Sequence, residues 1–175
     1  MLEPMVQDYV SSAMQLDRQA FCDRVKVAVL VWIKPSEDSA FQSASTKALD
    51  DWKQGPGVNR SPDLEHQAKV IELASMRQKR IEQITIGRSE ENDVVLQDET
   101  ISSIHAIFLR HPKTAEFLIQ EQESTNGSTL NGRPLVAYRS TKLNDGDALT
   151  FGDTAFLFFS PGGLHDAIKQ MIGEK

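Results

Sequence analysis

Ile84-Thr85-Ile86-Gly87-Arg88-Ser89 opens the stretch that decides how this chain folds, and Asn92-Asp93-Val94-Val95-Leu96, Ser102-Ser103-Ile104-His105 and Thr125-Asn126-Gly127-Ser128-Thr129-Leu130-Asn131-Gly132 continue it in that order. Short apolar, β-branched runs alternate with clusters of Ser, Thr, Asn and Gly. Such runs suit half-buried strands, and such clusters suit the turns between them. The polar clusters are rich in hydroxyl and amide groups and carry one arginine, a composition that fits an anion held between loops.

Working outward, the same rhythm continues on both sides. Strands are predicted over Val70–Leu73, Gln83–Ile86, Asp93–Leu96, His105–Leu109, Glu116–Gln120, Thr129–Leu130, Leu135–Ala137, Ala148–Phe151 and Ala155–Phe159. Arg88-Ser89, His111-Pro112, two Asn-Gly pairs and Asn144-Asp145-Gly146-Asp147 punctuate them. Many short strands at such spacing indicate a β-sandwich, so the chain is mainly β. Before it, Val6, Tyr9, Val10, Ala13, Leu16, Ala20 and Phe21 recur at helical spacing and predict one amphipathic helix from Met5 to Phe21. Val27 to Ile33 reads as a buried strand or an extended segment laid on the next unit, because an unpaired run of this kind would aggregate. Pro35 to Asp63 has a linker composition, with a short helix expected around Ala48 to Trp52. After Gly162-Gly163 releases the chain, Leu164, Ala167, Ile168, Met171 and Ile172 predict a short final helix. The expected organisation is 1–65 for the N-terminal helix, apolar strand and linker, 66–160 for the sandwich, and 161–175 for the C-terminal helix.

Composition narrows the function. With 175 residues, 39% apolar and 25% charged, the chain is of ordinary globular character. A net charge of −6 speaks against nucleic acid as a partner. One local arginine still binds an anion, since salt screens distant carboxylates beyond roughly 8–10 Å. A single cysteine forms no intrachain disulfide, and His66, His105, His111 and His165 lack paired ligand spacing, so neither metal nor cofactor is expected. The N-terminus lacks a basic start leading into an apolar run, and no run approaches the ~20 residues of a spanning helix, so a soluble, cytoplasmic protein without membrane insertion is expected.

Together, Gly87-Arg88-Ser89, Asn92-Asp93, Ser102-x-x-His105 and Thr125-Asn126-Gly127 resemble the forkhead-associated (FHA) domain over roughly residues 68 to 160. The resemblance implies an FHA-like sandwich of short antiparallel strands with an N-terminal α/extended segment and a short C-terminal helix. It also implies a non-enzymatic module that binds phosphothreonine in a partner protein, such as a Ser/Thr kinase or its substrate. Arg88 would grip the phosphate, because a planar guanidinium matches two of its oxygens. Ser102 and Ser103 would add hydroxyl or backbone contacts. Thr125 would lie near the phosphate, and Asn126 would hold the peptide backbone through its donor and acceptor. Gly87, His105, Gly127, Asn131 and Gly132 would support the site, with His105 as a buried brace rather than a general base. The family often has a basic or amide residue at the position of Ser103, a departure worth about tenfold in affinity.

The bland readings are a surface Arg88 paired with Glu90, Glu91 or Asp93, and plain hairpin turns at Thr125-Asn126-Gly127 and Asn131-Gly132. The loops around Gln97–Ile101 and Arg133–Lys142 would read the rest of the peptide, with Asp98 and Glu99 near the mouth repelling acidic residues and Arg133, Arg139 and Lys142 attracting them. The alternative function is an assembly domain with a weakened or unused phosphate site that binds partners, or a second copy of itself, through the N-terminal segment. Thr46, in the linker, is a candidate for phosphorylation and self-association through the same site. No phosphate-binding Gly-Lys loop, nucleophile elbow or kinase signature is present, so no catalytic residue is assigned.

Overall fold

The computed structural model describes residues 4–33, 68–74, 83–111, 114 and 116–173. Its elements, in chain order, are α1 (Val6–Gln15), α2 (Arg18–Arg24), β1 (Val29–Ile33), β2 (Val70–Glu72), β3 (Gln83–Gly87), β4 (Val94–Val95), β5 (Ala106–Arg110), β6 (Phe117–Glu121), β7 (Ser128–Leu130), β8 (Arg133–Pro134), β9 (Ser140–Lys142), β10 (Asp147–Phe151), β11 (Thr154–Phe159) and α3 (Pro161–Met171). The strands form a six-stranded sheet in the order β2-β1-β11-β10-β7-β8 and a five-stranded sheet in the order β4-β3-β5-β6-β9. All pairings are antiparallel except β3 with β4. This is the mainly β sandwich that the sequence predicts.

Alternation along the strands builds two cores. Leu30, Ile86, Phe108, Ile119, Leu149, Phe151, Phe156 and Phe158 fill the space between the sheets. Phe108 meets Phe151 edge-on at 6.3 Å and stacks on Phe158 at 6.4 Å, arrangements that aromatic quadrupoles favour. On the outer face of the six-stranded sheet, Val29, Val31, Ile33, Leu157 and Phe159 pack under Val6, Tyr9, Ala13, Phe21, Leu164 and Ile168 of the helices. β1 and β11 are therefore apolar on both faces, as strands covered on both sides must be. The run Val27 to Ile33 is covered because β1 lies inside the sheet, between β2 and β11. The N-terminal segment thus contributes a strand to the sandwich itself.

Three details differ from the sequence reading. The helix expected from Met5 to Phe21 is two, because the Asp17 carboxylate accepts from the Ala20 N–H at 2.8 Å and starts a new helix. Leu135–Ala137 is not a strand; its apolar residues lie in the connection between β8 and β9, where Tyr138 takes a left-handed φ of 62°. Gly162-Gly163 does not release the chain but forms the first turn of α3, with the Arg18 guanidinium and the Asp145 carboxylate occupying the room their side chains would fill. α3 begins at Pro161, and the Ser160 hydroxyl caps it by accepting from the Gly163 N–H at 3.1 Å. The expected linker at 35–63, its helix at Ala48–Trp52 and Thr46 lie outside the described residues.

Strand directions bring several connections to one end of the sandwich. β3, β6 and β10 run into this end and β5 and β7 leave it, so residues 88–93, 96–105, 122–127 and 152–153 gather there. The Asn131-Gly132 and Asn144-Asp145 turns, the end of β5, the start of β6 and the start of α3 occupy the opposite end.

Candidate functional site

Gly87 ends β3 where the next loop presses hardest. A Cβ there would lie 2.9 Å from both Asn92 Nδ2 and Ile104 Cα, and closer still to the Ser103 carbonyl oxygen. The absence of a side chain lets Arg88 N–H donate to Ser102 O at 2.9 Å and Ser89 N–H to Ser103 O at 3.2 Å. Asn92, only 6% exposed, locks this junction: its Nδ2 donates to Ser89 O at 2.8 Å and to Ser103 O at 2.6 Å. The Arg88 loop and the Ser102-Ser103 loop are therefore one backbone-bonded unit. The Arg88 side chain is exposed and makes no hydrogen bond or ion pair with any described residue. The bland pairing with Glu90, Glu91 or Asp93 is absent, since Asp93 turns to accept from the Thr85 N–H and hydroxyl at 2.9 and 3.1 Å.

The third loop joins from the other side. The Thr125 N–H donates to Ser102 Oγ at 2.9 Å, and the Ser102 and Thr125 hydroxyl oxygens lie 3.4 Å apart. Asn126 is exposed and donates from Nδ2 to the Thr100 carbonyl at 2.8 Å. That bond leaves its amide oxygen and second N–H open to a ligand. Gly127 takes a left-handed φ of 73°, which turns the chain into β7. The Ser103 side chain is exposed beside Arg88, and its carbonyl is taken by Asn92 and Ser89.

His105 sits beneath, fully buried. Its Nδ1 accepts from the Ser102 N–H at 3.1 Å, so the ring proton is on Nε2, which reaches the Gly127 carbonyl at 3.2 Å. The ring thereby ties two of the three loops together and packs edge-on against Phe151 at 5.4 Å. Burial pushes its pKa below the ordinary value, more than the Gly127 carbonyl and Glu121 carboxylate push it up. A neutral imidazole with both nitrogens occupied has no free nitrogen for proton transfer.

Arg88, Ser102, Ser103, Thr125 and Asn126 are thus carried by loops bonded together at one end, with Gly87, His105 and Gly127 behind them. Asn131 and Gly132 are not part of this cluster. They lie at the far end of β7, where Asn131 Nδ2 donates to Asp147 at 2.8 Å and its Oδ1 accepts from Ala148 N–H at 2.9 Å. Lys142 is also remote, paired with Glu116 at the opposite end, as is Arg133 beside the Asn131 turn. Arg139 alone of the three expected cations follows the connection that returns to the site end, where Tyr138 N–H donates to Glu121 O at 2.8 Å.

Sequence reasoning missed several braces. Asp98, expected to face a ligand, instead accepts from the Thr100 N–H and hydroxyl at 2.8 and 2.6 Å and from the Thr154 hydroxyl at 3.0 Å. Those bonds hold its carboxyl below the usual range. The Asp-x-Thr spacing is the signal that could have shown it. Glu121, 3% exposed, accepts from the N–H groups of Glu123 and Ser124 at 2.7 Å each and shapes the loop carrying Thr125. Among the described residues, no group of His, Cys, Asp and Glu is placed to hold a metal ion, and no helix is long and apolar enough to cross a membrane. A depression of about 300 Å³ lined by Phe117, Leu143, Asn144 and Phe158 opens at the opposite end, away from the loops.

Comparison with known proteins meets this geometry over the same residues. The family model for the FHA domain matches residues 84–152. An ABC transporter ATP-binding/permease protein of Mycobacterium tuberculosis is 33% identical over 75 residues, 43% of this chain and 8% of that protein. A probable serine/threonine-protein kinase of Dictyostelium discoideum is 34% identical over 92 residues, 45% of this chain and 15% of that protein. The chain therefore spans a small part of the length of either relative. Among solved structures, an engineered FHA with a Myc-pTBD peptide matches in fold at a TM-score of 0.51 and 15% identity, covering 81% of this chain and 97% of that one. The chain carries an FHA domain across residues 84–152.

Proposed function

We propose that the three-loop end binds phosphothreonine in a partner protein, and that the chain serves as a non-catalytic reader of Ser/Thr-kinase output. The observation that carries this reading is the Arg88 side chain, exposed and unpaired among the described residues, on a loop bonded to Ser102 and Ser103. A free guanidinium on a fixed backbone is pre-organised for a doubly charged phosphate, because little ordering entropy is left to lose. The hydroxyls of Ser102 and Thr125 add donors beside it, and Asn126 offers an amide for the peptide backbone. The functional unit we assign is carried by 66–160, completed by strand β1 from the N-terminal segment, with 161–175 following it in sequence.

The reading of an assembly domain that docks through its N-terminal segment has less support. The apolar faces of α1, α2 and β1 are consumed within the chain, under the six-stranded sheet. Fluorescence anisotropy with a labelled phosphothreonine peptide tests the proposal. Micromolar binding is expected, with none for the unphosphorylated peptide and a loss of about a hundredfold or more for Arg88→Ala. Equal binding of both peptides, or full affinity in Arg88→Ala, would refute it.

A further inference from the structure

Four of the connections at the site end are nearly monopolar. Across residues 88–105, 122–127 and 152–153, Arg88 is the single Lys or Arg, against Glu90, Glu91, Asp93, Asp98, Glu99, Glu123 and Asp153. Asp93 and Asp98 are turned into the fold onto Thr85, Thr100 and Thr154. Glu90, Glu91, Glu99, Glu123 and Asp153 are exposed. These stand close to the proposed contacts. Glu90 is two residues from Arg88, so their Cα atoms lie within about 7 Å. Glu99 precedes Thr100, whose carbonyl holds Asn126, and the Asp153 N–H donates to Thr100 Oγ1 at 3.0 Å.

One part of this rim is built more firmly. Glu123 and Tyr138 have left-handed φ values of 55° and 62°, rare for residues with large side chains. The Tyr138 hydroxyl donates to Glu123 Oε2 at 3.1 Å, its N–H to Glu121 O at 2.8 Å, and its carbonyl accepts from Gln120 Nε2 at 2.8 Å. The residue nonetheless stays 59% exposed. A fixed aromatic face beside a carboxylate, two residues from Thr125, matches an ammonium or guanidinium: the carboxylate takes the charge and the ring takes the stem or the cation. Arg139, exposed next in sequence, is a nearby charge of the opposite sign.

We propose that this rim selects phosphothreonine set in a basic segment, with Glu123 and Tyr138 receiving a lysine or arginine side chain of the partner and Glu90, Glu99 and Asp153 disfavouring acidic neighbours. The inference rests on the phosphothreonine reading above and names the class of partner: targets of a kinase that phosphorylates threonine among basic residues. Charge complementarity carries it, since among the described residues a phosphopeptide with acidic flanks would meet five exposed carboxylates, Glu90, Glu91, Glu99, Glu123 and Asp153, against the two cations Arg88 and Arg139.

The test is a positional scan of phosphothreonine peptides in which each flanking position is lysine, alanine or glutamate, measured by anisotropy at low and high salt. The lysine series should bind about tenfold more tightly than the glutamate series at low ionic strength, with the gap narrowing as salt rises. In the variant Glu90→Gln/Glu99→Gln/Glu123→Gln/Asp153→Asn the gap should close, and Tyr138→Ala should lose the preference at one flanking position only. Binding of all phosphopeptides with no charge preference, or with glutamate favoured, would overturn the rim and leave the phosphate reading standing. Failure of every phosphopeptide, or binding unaffected by Arg88→Ala, would overturn both.

Discussion

Gly87→Ala places one methyl group where β3 meets the Ser102–His105 loop. The added carbon would sit 2.9 Å or less from Asn92 Nδ2, Ile104 Cα and the Ser103 carbonyl. Ordinary contact distances are about 3.5–4.0 Å, so the loop must retreat by about 1 Å. Two of the three neighbours are backbone atoms and cannot swing aside, and the third, Asn92, is held by Ser89 and Ser103. Overpacking of this kind costs about 1–3 kcal/mol. For a chain of this size that lowers Tm by roughly 2–12 °C. Binding should suffer more than stability, because the retreat carries Ser102 away from Arg88 and stretches the Arg88–Ser102 and Ser89–Ser103 hydrogen bonds. Loss of one hydrogen bond to a charged phosphate weakens affinity roughly ten- to a hundredfold. Gly127→Ala is the comparison: no atom stands within 4 Å of its would-be Cβ, and only the left-handed φ of 73° resists, at about 1 kcal/mol. Thermal melts and phosphopeptide titration of both variants report the two effects. Unchanged melting and unchanged affinity in Gly87→Ala would refute the claim that close backbone approach sets the site.

Other outcomes follow from the same contacts. Asn131→Ala removes bonds to Asp147 and Ala148 and puts alanine at a left-handed φ of 51°, so unfolding free energy should fall by about 2–3 kcal/mol. Because those bonds lie at the opposite end, phosphopeptide affinity should stay within about twofold, as titration of the folded variant would show. Arg88→Ala should leave denaturant stability within about 0.5 kcal/mol of wild type, since the side chain is exposed and unpaired among the described residues. His105 has a depressed folded pKa, so the unfolded chain takes up its proton first. Its contribution is present above about pH 6.5 and is lost as pH falls from there towards the folded value. Urea melts across that range should show the slope in wild type and lack that component in His105→Gln.

Much of this fold is legible because strand periodicity and turn chemistry agree along the chain. β3, β5, β6, β10 and β11 fall within one or two residues of their predicted bounds, and the aromatic run Phe156–Phe159 divides its side chains between the two cores. The break at Asp17 was hidden because a cap inside an apolar period looks like any surface aspartate until its carboxylate is seen to accept from Ala20. The Leu135–Ala137 run failed as a strand because its apolar residues sit in a connection set by Tyr138, an effect of tertiary contacts with Glu121 and Gln120. At the site, residue types named the exposed arginine and hydroxyls. They did not reveal which polar groups were braces: Asn92, Asp98 and Glu121 spend their hydrogen bonds on backbone or loop groups, and composition does not separate a bonded carboxylate from a free one.

The central claim is that phosphate binds at the three-loop end. Titrating ¹⁵N-labelled protein with a phosphothreonine peptide and following backbone amide resonances tests it most directly. The account predicts saturable shifts at Arg88, Ser102, Ser103, Thr125 and Asn126, with Asn131, Asn144 and Ser160 unmoved. Shifts concentrated at the opposite end, or no saturable shift at Arg88 and Ser102, would contradict it.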